Sequence, residues 1–158
     1  MKRTTKSATP PDLVMPALLR HARATYGSAM RTALAEAGYD DIPRNGLYIL
    51  GGLAMEVPDV PLGQLIVELG VSKQAAGQLV DTLVQRGYLD RAPDESDRRK
   101  LTVRLTTRGR AAAMVQAAAR ARIDAQLLAR VGQDDVQRTR RTLAVLIDLR
   151  CASADEED

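Results

Sequence analysis

The sequence predicts a mainly helical fold that carries one small β-hairpin, and three observations lead to this prediction. The chain has 158 residues with no Phe, no Trp and only four Tyr, so Leu, Val, Ile, Ala and Met must build its core. Such side chains suit packed helices. Apolar residues recur at helical spacing through most of the chain, whereas residues 100–106 alternate, as in a half-buried strand.

Four helices are predicted before the hairpin. The first has Asp12 as its N-cap and Gly38 as its stop, and Pro16 falls in its first turn. The second is apolar and contains a pair of adjacent glycines. The third and fourth are separated by a tight turn at Gly70, which a left-handed glycine suits. The four helices cover residues 12–37, 44–56, 62–69 and 72–86.

A β-hairpin is predicted after the fourth helix. Residues 88–92 form its first strand, a polar turn follows, and residues 100–106 form its second strand. Two more helices follow, one over residues 107–130 and a last one from Asp134 to about Cys151. The second strand alternates, with Leu101, Val103 and Leu105 on one face and Lys100, Thr102 and Arg104 on the other.

Composition predicts a cytoplasmic protein that does not enter the membrane. The single cysteine, Cys151, forms no intrachain disulfide and fits a reducing compartment. No stretch approaches the roughly 20 apolar residues that a membrane helix needs. The basic N-terminus lacks the apolar segment of a signal peptide, so we interpret it as a flexible arm.

Neither a catalytic site nor a metal or cofactor site is predicted. The only histidine, His21, and the only cysteine, Cys151, lie far apart in sequence, and nothing pairs a nucleophile with a base. The sequence shows no zinc-ligand spacing and no phosphate-binding loop. We therefore expect no enzyme, although a measured turnover on any substrate would reopen that alternative.

The helix that begins at Ser72 has a face suited to reading DNA. Ser72 is the predicted N-cap, since its hydroxyl can accept an N–H of the first turn. Glutamine offers a donor and an acceptor to an adenine edge, and lysine reaches guanine or phosphate. The alternative is a plain polar face exposed to solvent. The candidate major-groove residues are Ser72, Lys73, Gln74, Gly77 and Gln78.

The hairpin tip favours the DNA-binding interpretation because Arg98, Arg99 and Lys100 are consecutive there. Basic side chains at a hairpin tip can enter a minor groove and contact phosphates. The alternative is an ordinary charged turn. Residues 44–106 carry as many acidic as basic groups, so affinity must come from a few placed side chains rather than bulk charge.

Four short motifs follow one another between Val71 and Gly109. They are Leu79-Val80-Asp81 with Leu83, Gly87-Tyr88-Leu89, Asp97-Arg98-Arg99, and Leu105-Thr106 followed by Gly109. Together they resemble the signature region of the MarR family of bacterial transcription regulators. The strict match covers about a quarter of the chain, and the helical order extends the resemblance over residues 12–151. Glu95 departs from the family, whose members often have proline there.

The resemblance implies a winged helix-turn-helix regulator, most commonly a repressor, that works as a homodimer on a pseudo-palindromic operator. A protein-interaction adaptor without DNA specificity is the alternative function, and helix packing within a monomer is the alternative to the dimer. The implied organisation is a flexible arm (1–11), an N-terminal dimerisation helix and loop (12–43), the DNA-binding lobe (44–106), C-terminal dimerisation helices (107–152) and an acidic tail (153–158).

The resemblance also implies a small-molecule effector, phenolic or lipophilic in many relatives, bound between the lobe and the dimerisation helices. His21, Tyr26 and Tyr48 are the candidate pocket residues, with simple packing or surface roles as the alternative. Arg44 is a candidate phosphate contact at the start of the second helix. Oxidant sensing through an N-terminal cysteine is not expected, because Cys151 lies near the other end of the chain.

Overall fold

The computed structural model describes residues 13–55, 60–61, 72–93 and 101–154. The predicted arm, the short helix 62–69, the turn at Gly70, the hairpin tip and the end of the acidic tail lie outside the described residues. The described elements are α1 (Met15–Glu36), α2 (Gly46–Met55), β1 (Val60–Pro61), α3 (Lys73–Gln85), β2 (Leu89–Pro93), β3 (Leu101–Leu105) and α4 (Thr107–Ala154). The predicted fold class, helices with a small β-hairpin, is confirmed.

Helix α1 begins later than predicted, and the prediction that Asp12 caps it is wrong. Val14 is the N-cap, and its carbonyl accepts from Ala17 N at 2.9 Å and Leu18 N at 3.1 Å. With Asp12 as the cap, Pro16 would occupy the fourth helical position, whose N–H makes the first helical hydrogen bond. Proline has no such N–H, so the helix begins where Pro16 is its second residue.

The strands form a three-stranded antiparallel sheet in the order β1-β3-β2. Leu89 pairs with Leu105 and Pro93 with Leu101 across the predicted hairpin. Strand β1 was not predicted, and it places Pro61 opposite Thr102. Thr102 is consequently buried rather than on the exposed face, and its hydroxyl donates to Ala92 O at 3.2 Å.

The main core joins α2, α3, the hairpin and the start of α4. Tyr88 is its largest fully buried side chain, and Leu34 adds the end of α1 to it. A smaller cluster of Met30, Ala33 and Ala119 packs α1 against α4. The other main-core members include Leu47, Ile49, Leu50, Leu53, Val80, Leu83, Leu89, Val103, Leu105, Ala112 and Ala113.

Helix α4 is interrupted at Gly132, whose φ of 80° lies in the left-handed region. This break agrees with the two separate C-terminal helices that the sequence predicts. The chain divides into two compact units, residues 1–120 and 121–158. In the described residues, no helix combines the length and apolarity that a membrane span requires. The second unit exposes the large apolar side chains of Leu127, Leu128, Val131, Val145, Leu146, Ile147 and Leu149.

Candidate nucleic-acid interface

Ser72 starts helix α3 as predicted. Its backbone is extended, with φ −61° and ψ 150°, and its Oγ accepts a hydrogen bond from Ala75 N at 3.2 Å. One otherwise unpaired N–H of the first turn is thereby satisfied. Because the Ser72 hydroxyl accepts a hydrogen bond from the helix itself, Ser72 determines where α3 and its exposed turns begin.

The first two turns of α3 present polar side chains to solvent. Lys73, Gln74 and Gln78 are exposed, while Ala76 and Val80 are fully buried on the opposite face. Ala75 is exposed as well, which widens the outward surface. The structure thus brings the predicted reading residues of α3 together on one accessible surface.

Gly77 lies among these residues, and packing within the described part of the chain does not require a glycine there. A Cβ placed on Gly77 would meet no heavy atom of the described residues within 4 Å. Glycine inside a helix costs about 1 kcal/mol relative to alanine. The bare backbone at this position therefore lowers the stability of α3 without serving a contact among the described residues.

Two surface ion pairs connect α3 and the hairpin strands. Asp81 on α3 pairs with Arg91 on β2, and Asp90 pairs with Arg104 directly across the hairpin at 3.5 Å. Both pairs are largely exposed, so each contributes at most about 1 kcal/mol. The first pair makes Asp81 a bridge between α3 and β2.

The base of the hairpin is closed by backbone and hydroxyl contacts around Tyr88 O. Thr106 N donates to Tyr88 O at 3.1 Å, and Thr106 Oγ1 donates to Gly87 O at 2.6 Å and accepts from Gly109 N at 3.0 Å. A Cβ on Gly109 would lie only 2.0 Å from Tyr88 O, so no other residue fits there. These contacts explain why the Gly87-Tyr88 motif before the hairpin occurs together with Thr106 and Gly109 after it.

The side chain of Tyr88 is the centre of a polar cluster that fastens the hairpin to the loop after α1. Its hydroxyl donates to Asp41 Oδ1 and accepts from Arg108 Nη2, which is 3.0 Å away. The Arg108 guanidinium also lies 4.7 Å from the Tyr88 ring centroid. The Tyr39 ring meets the Tyr88 ring edge-on at 6.2 Å.

These contacts change the ionisation of the cluster. The hydrogen bond from Tyr88 is the main cause that lowers the pKa of Asp41, and the charge of Arg108 lowers it further. Burial is the main cause that raises the pKa of Tyr88, with the Asp41 carboxylate adding to it. At neutral pH the cluster therefore holds a carboxylate, a neutral phenol and a guanidinium.

Sequence reasoning missed Asp41, Arg86 and Arg108, which act together in this cluster. Arg86 Nη1 donates to Asp41 O, so the loop is held from both sides. The contacts of Asp41 join residues separated by 45 to 67 positions, so no local pattern marks them. One signal was available, since a buried tyrosine in an aliphatic core requires a partner for its hydroxyl.

Arg44 lines a surface pocket of about 340 Å³ between α1 and α2. Tyr48 lines the same pocket, with Arg23 Nε 2.5 Å from its hydroxyl and the Arg23 guanidinium 4.4 Å from its ring centroid. Of the other predicted pocket residues, His21 is exposed on α1, and Tyr26 packs against the smaller core cluster. Neither lines this pocket.

The predicted hairpin-tip residues Arg98, Arg99 and Lys100 lie outside the described residues. Their strands enter and leave the tip as a paired antiparallel ladder, with Pro93 opposite Leu101 at its outer end. Within the described part of the chain, no group of three or more His, Cys, Asp or Glu is placed to hold a metal ion.

Comparison with known proteins gives matches in family and fold. Residues 40–100 match the MarR family. A crystal structure of MarR is similar with a TM-score of 0.73 and 18% identity, over 95% of this chain and 99% of that chain. A transcriptional regulator from Thermotoga maritima gives a TM-score of 0.56 and 26% identity, over 85% of this chain and 92% of its own.

A third similar structure is that of the transcriptional repressor CouR bound to a 23-mer DNA duplex. Its TM-score is 0.67 at 21% identity, over 85% of this chain and 92% of that chain. Comparison with curated proteins gives no significant match. The resemblance predicted from the sequence is confirmed: residues 40–100 carry the MarR family pattern, and the described chain has the winged-helix fold of MarR-type regulators.

Proposed function

We propose that this chain is a sequence-specific DNA-binding transcription regulator of MarR type that represses its targets. The observation that carries the proposal is the exposed polar surface of α3, where Lys73, Gln74 and Gln78 surround the bare backbone of Gly77. A purely solvated helix gains nothing from a glycine at that place. A helix that enters a major groove gains a closer approach to the bases.

In this proposal α3 enters the major groove with its first turns. Gln74 and Gln78 hydrogen-bond base edges, adenine being the natural partner of a glutamine amide, while Lys73 reaches guanine or phosphate. The hairpin tip, with Arg98, Arg99 and Lys100, enters the adjacent minor groove and contacts phosphates. Arg44 remains a proposed phosphate contact.

The comparisons support the proposal through fold and family. CouR, which shares this fold, was solved as a repressor on a DNA duplex. The residues that match the MarR family, 40–100, include α2, α3 and the first hairpin strand, β2.

The proposed regulator is a homodimer. Two copies related by a two-fold axis present two α3 helices, and the operator is then pseudo-palindromic with half-sites about one helical turn apart. The exposed apolar side chains of residues 121–154 support this, because isolated helices with such surfaces are poorly solvated.

Selection of binding sites from random duplex DNA tests the function directly. We expect enrichment of a pseudo-palindrome whose half-sites are about ten base pairs apart, centre to centre. A protein-interaction adaptor would enrich no sequence, and that outcome would overturn the proposal.

Gly77 allows a second test with a matched control. Gly77→Ala and Gly52→Ala each place a methyl group in open space inside a helix, so both should raise stability by about 0.5–1 kcal/mol. Only Gly77→Ala should weaken operator binding, because only α3 faces the groove. Equal operator affinity for the two variants, measured by gel shift, would contradict the proposed docking of α3.

A further inference from the structure

The pocket between α1 and α2 is strongly basic. Four arginines line the pocket. Three of them lie on α1, and the fourth lies two residues before the start of α2. Among the described residues, no Asp or Glu lines this pocket. The remaining lining residues are Ala24, Gly27, Asn45, Leu47 and Tyr48, and Tyr48 is the one aromatic side chain among them. The four arginines are Arg20, Arg23, Arg31 and Arg44.

These guanidinium groups are not neutralised by the described protein. Arg20, Arg31 and Arg44 form no ion pair with any residue that the structure describes, and Arg23 donates to the Tyr48 hydroxyl. Like charges gathered around one pocket repel one another, which destabilises the folded state slightly. An anion placed among them would remove that repulsion and gain charge-assisted hydrogen bonds.

The exposure of the arginines determines which anions can bind. All four side chains are exposed, so salt screens each contact, and a single negative charge would be held weakly. An anion with several charges can engage several guanidiniums at once, and arginine presents the planar fork that matches phosphate and carboxylate oxygens. A volume of about 340 Å³ is within the range of small-molecule sites.

We propose that this pocket binds a small multivalent anion, a phosphorylated or polycarboxylated compound, and that this anion is the effector of the regulator. Tyr48, a candidate residue of the phenolic or lipophilic pocket that the family resemblance implies, lines this site, but its four arginines favour an anion as the occupant. The effector role of the anion rests on the proposed DNA-binding function. The binding of the anion to the pocket does not depend on that function.

The contact between Arg23 and Tyr48 connects the pocket to the packing of α1, α2 and α3. Arg23 on α1 holds Tyr48 on α2 through its Nε–H and its flat face. A bound anion competes with the Tyr48 hydroxyl for the Arg23 donors. Anion binding therefore changes the link between α1 and α2, and α2 packs directly on α3.

Calorimetric titration of the full chain with inorganic pyrophosphate tests the binding, with citrate and benzoate as comparison anions at constant ionic strength. We expect saturable binding of pyrophosphate and citrate, at least about tenfold tighter than benzoate. Arg31→Gln and Arg20→Gln should each weaken pyrophosphate binding about tenfold, since each removes a charge-assisted contact. Arg31→Lys, which keeps the charge, should lose less.

Arg122→Gln is the matched control, because Arg122 is an exposed arginine in the other unit and its loss changes the net charge equally. It should leave pyrophosphate binding within about twofold. An equal loss for Arg122→Gln and Arg31→Gln, benzoate binding as tightly as pyrophosphate, or no saturable binding would each overturn the proposal. Thermal unfolding of every variant separates lost binding from lost folding.

A further arm distinguishes a free anion from the phosphates of DNA as the natural occupant. With the operator recovered by selection, Arg31→Gln should bind DNA as the parent does without pyrophosphate, and should respond less to added pyrophosphate. If Arg31→Gln instead weakens binding to all duplexes equally, the pocket holds the DNA backbone and the effector proposal is wrong. If no operator is recovered, the proposed function fails while the calorimetric result still stands.

Discussion

The residues on the outer surface of α3 divide into two chemical groups. Gln74 and Gln78 are exposed amides, and no described hydrogen bond engages their side chains, so they can meet a base edge. Asp81, one turn further along, is paired with Arg91 of the hairpin. The sequence alone places all three on one helix face, but the ion pair separates the proposed readers from the bridging residue.

Gln74 and Arg99 should differ in the kind of DNA binding that they support. Gln74→Ala should change the preferred sequence and cost about 1–3 kcal/mol at one base position. Arg99→Ala should weaken binding to all sequences and lower the salt slope by about 1. A gel-shift series over several salt concentrations measures both effects.

The control for this series is Gln85→Ala, an exposed glutamine in the last turn of the same helix. It should leave both sequence preference and salt slope unchanged. If Gln74→Ala and Arg99→Ala both bind DNA as the parent chain does, the proposed assignment of these residues to the DNA interface is wrong.

The Asp41–Tyr88 hydrogen bond should appear in the pH dependence of stability. The pKa of Asp41 is lowered from its ordinary 3.8, so its carboxylate stabilises the fold above that value, and this contribution is lost as the pH falls through the lowered pKa. Tyr88→Phe removes the main cause of the shift and should cost about 1 kcal/mol at neutral pH.

Urea unfolding between about pH 6 and about pH 3 checks this prediction. Tyr88→Phe should lose less stability on acidification than the parent chain. Tyr39→Phe serves as the control, because Tyr39 contacts Tyr88 through its ring and not through a hydrogen bond to Asp41. Parallel curves for parent and Tyr88→Phe would mean that the bond does not stabilise the charged carboxyl.

At the scale of elements, one buried amide links α4 to α2. Gln116 is 5% exposed, and its Nε2 donates to Leu47 O in the first turn of α2 at 2.8 Å. A Cβ on Gly51 would lie 2.8 Å from that Nε2 atom. The absence of a side chain at Gly51 thus leaves room for the link between the two helices.

The adjacent glycines of α2 should therefore respond in opposite ways to the same change. Gly51→Ala should destabilise the fold by about 1 kcal/mol, since the methyl group displaces Gln116 from Leu47 O. Gly52→Ala should stabilise it by about 0.5–1 kcal/mol, because nothing lies within 4 Å of its Cβ. Thermal or urea unfolding of both variants measures the difference.

The double variant Gly51→Ala with Gln116→Ala identifies the cause. It removes the clash together with the hydrogen bond, so adding Gly51→Ala to Gln116→Ala should no longer destabilise the chain. A loss from Gly51→Ala that persists in the Gln116→Ala background would point to another contact.

The helices and the hairpin could be predicted because they follow from periodicity and from stop signals in the local sequence. Ser72 caps α3 as predicted, and Gly38 and Gly87 take the positive φ values of 82° and 72° that end helices. The change to period two correctly located β2 and β3. The exposed polar face of α3 followed from the same periodicity, whereas its role in reading DNA stays a prediction.

What the sequence could not predict depends on tertiary contacts. Strand β1 consists of Val60 and Pro61 alone, too short for any alternation, and the neighbouring prolines indicate a break. Its pairing with β3 buries Thr102, which alternation places outside. The basic pocket was missed for a similar reason. Three of its arginines lie on α1 and Arg44 lies just before α2, so they gather only when α1 packs near α2.

At the scale of the whole molecule, the second unit, residues 121–158, has an exposed apolar surface. Ile147 is 65% exposed, and Val145 and Leu149 are each 60% exposed. Such residues lie on several sides of the last helix, so folding of that unit by itself leaves them in water. A second copy of the chain is the partner that the proposed function requires, and burying these residues would stabilise the pair.

A charge in this surface should separate the two copies. Ile147→Glu should convert a dimer into a monomer at micromolar concentration, because an unpaired carboxylate is costly in an apolar interface. Arg141→Ala, an exposed polar position on the same helix, should leave the dimer intact. Sedimentation equilibrium measures both, and a monomeric parent chain would contradict the proposed assembly.

The small sheet restricts how copies of the chain can associate. Its central strand, β3, is paired on both sides, which leaves β1 and β2 as the two edges. β1 has only two residues, one of them Pro61, and β2 ends at Pro93; neither proline has an N–H to offer an incoming strand. A foreign strand therefore finds little to extend, and the described sheet is poorly suited to seed amyloid-like stacking.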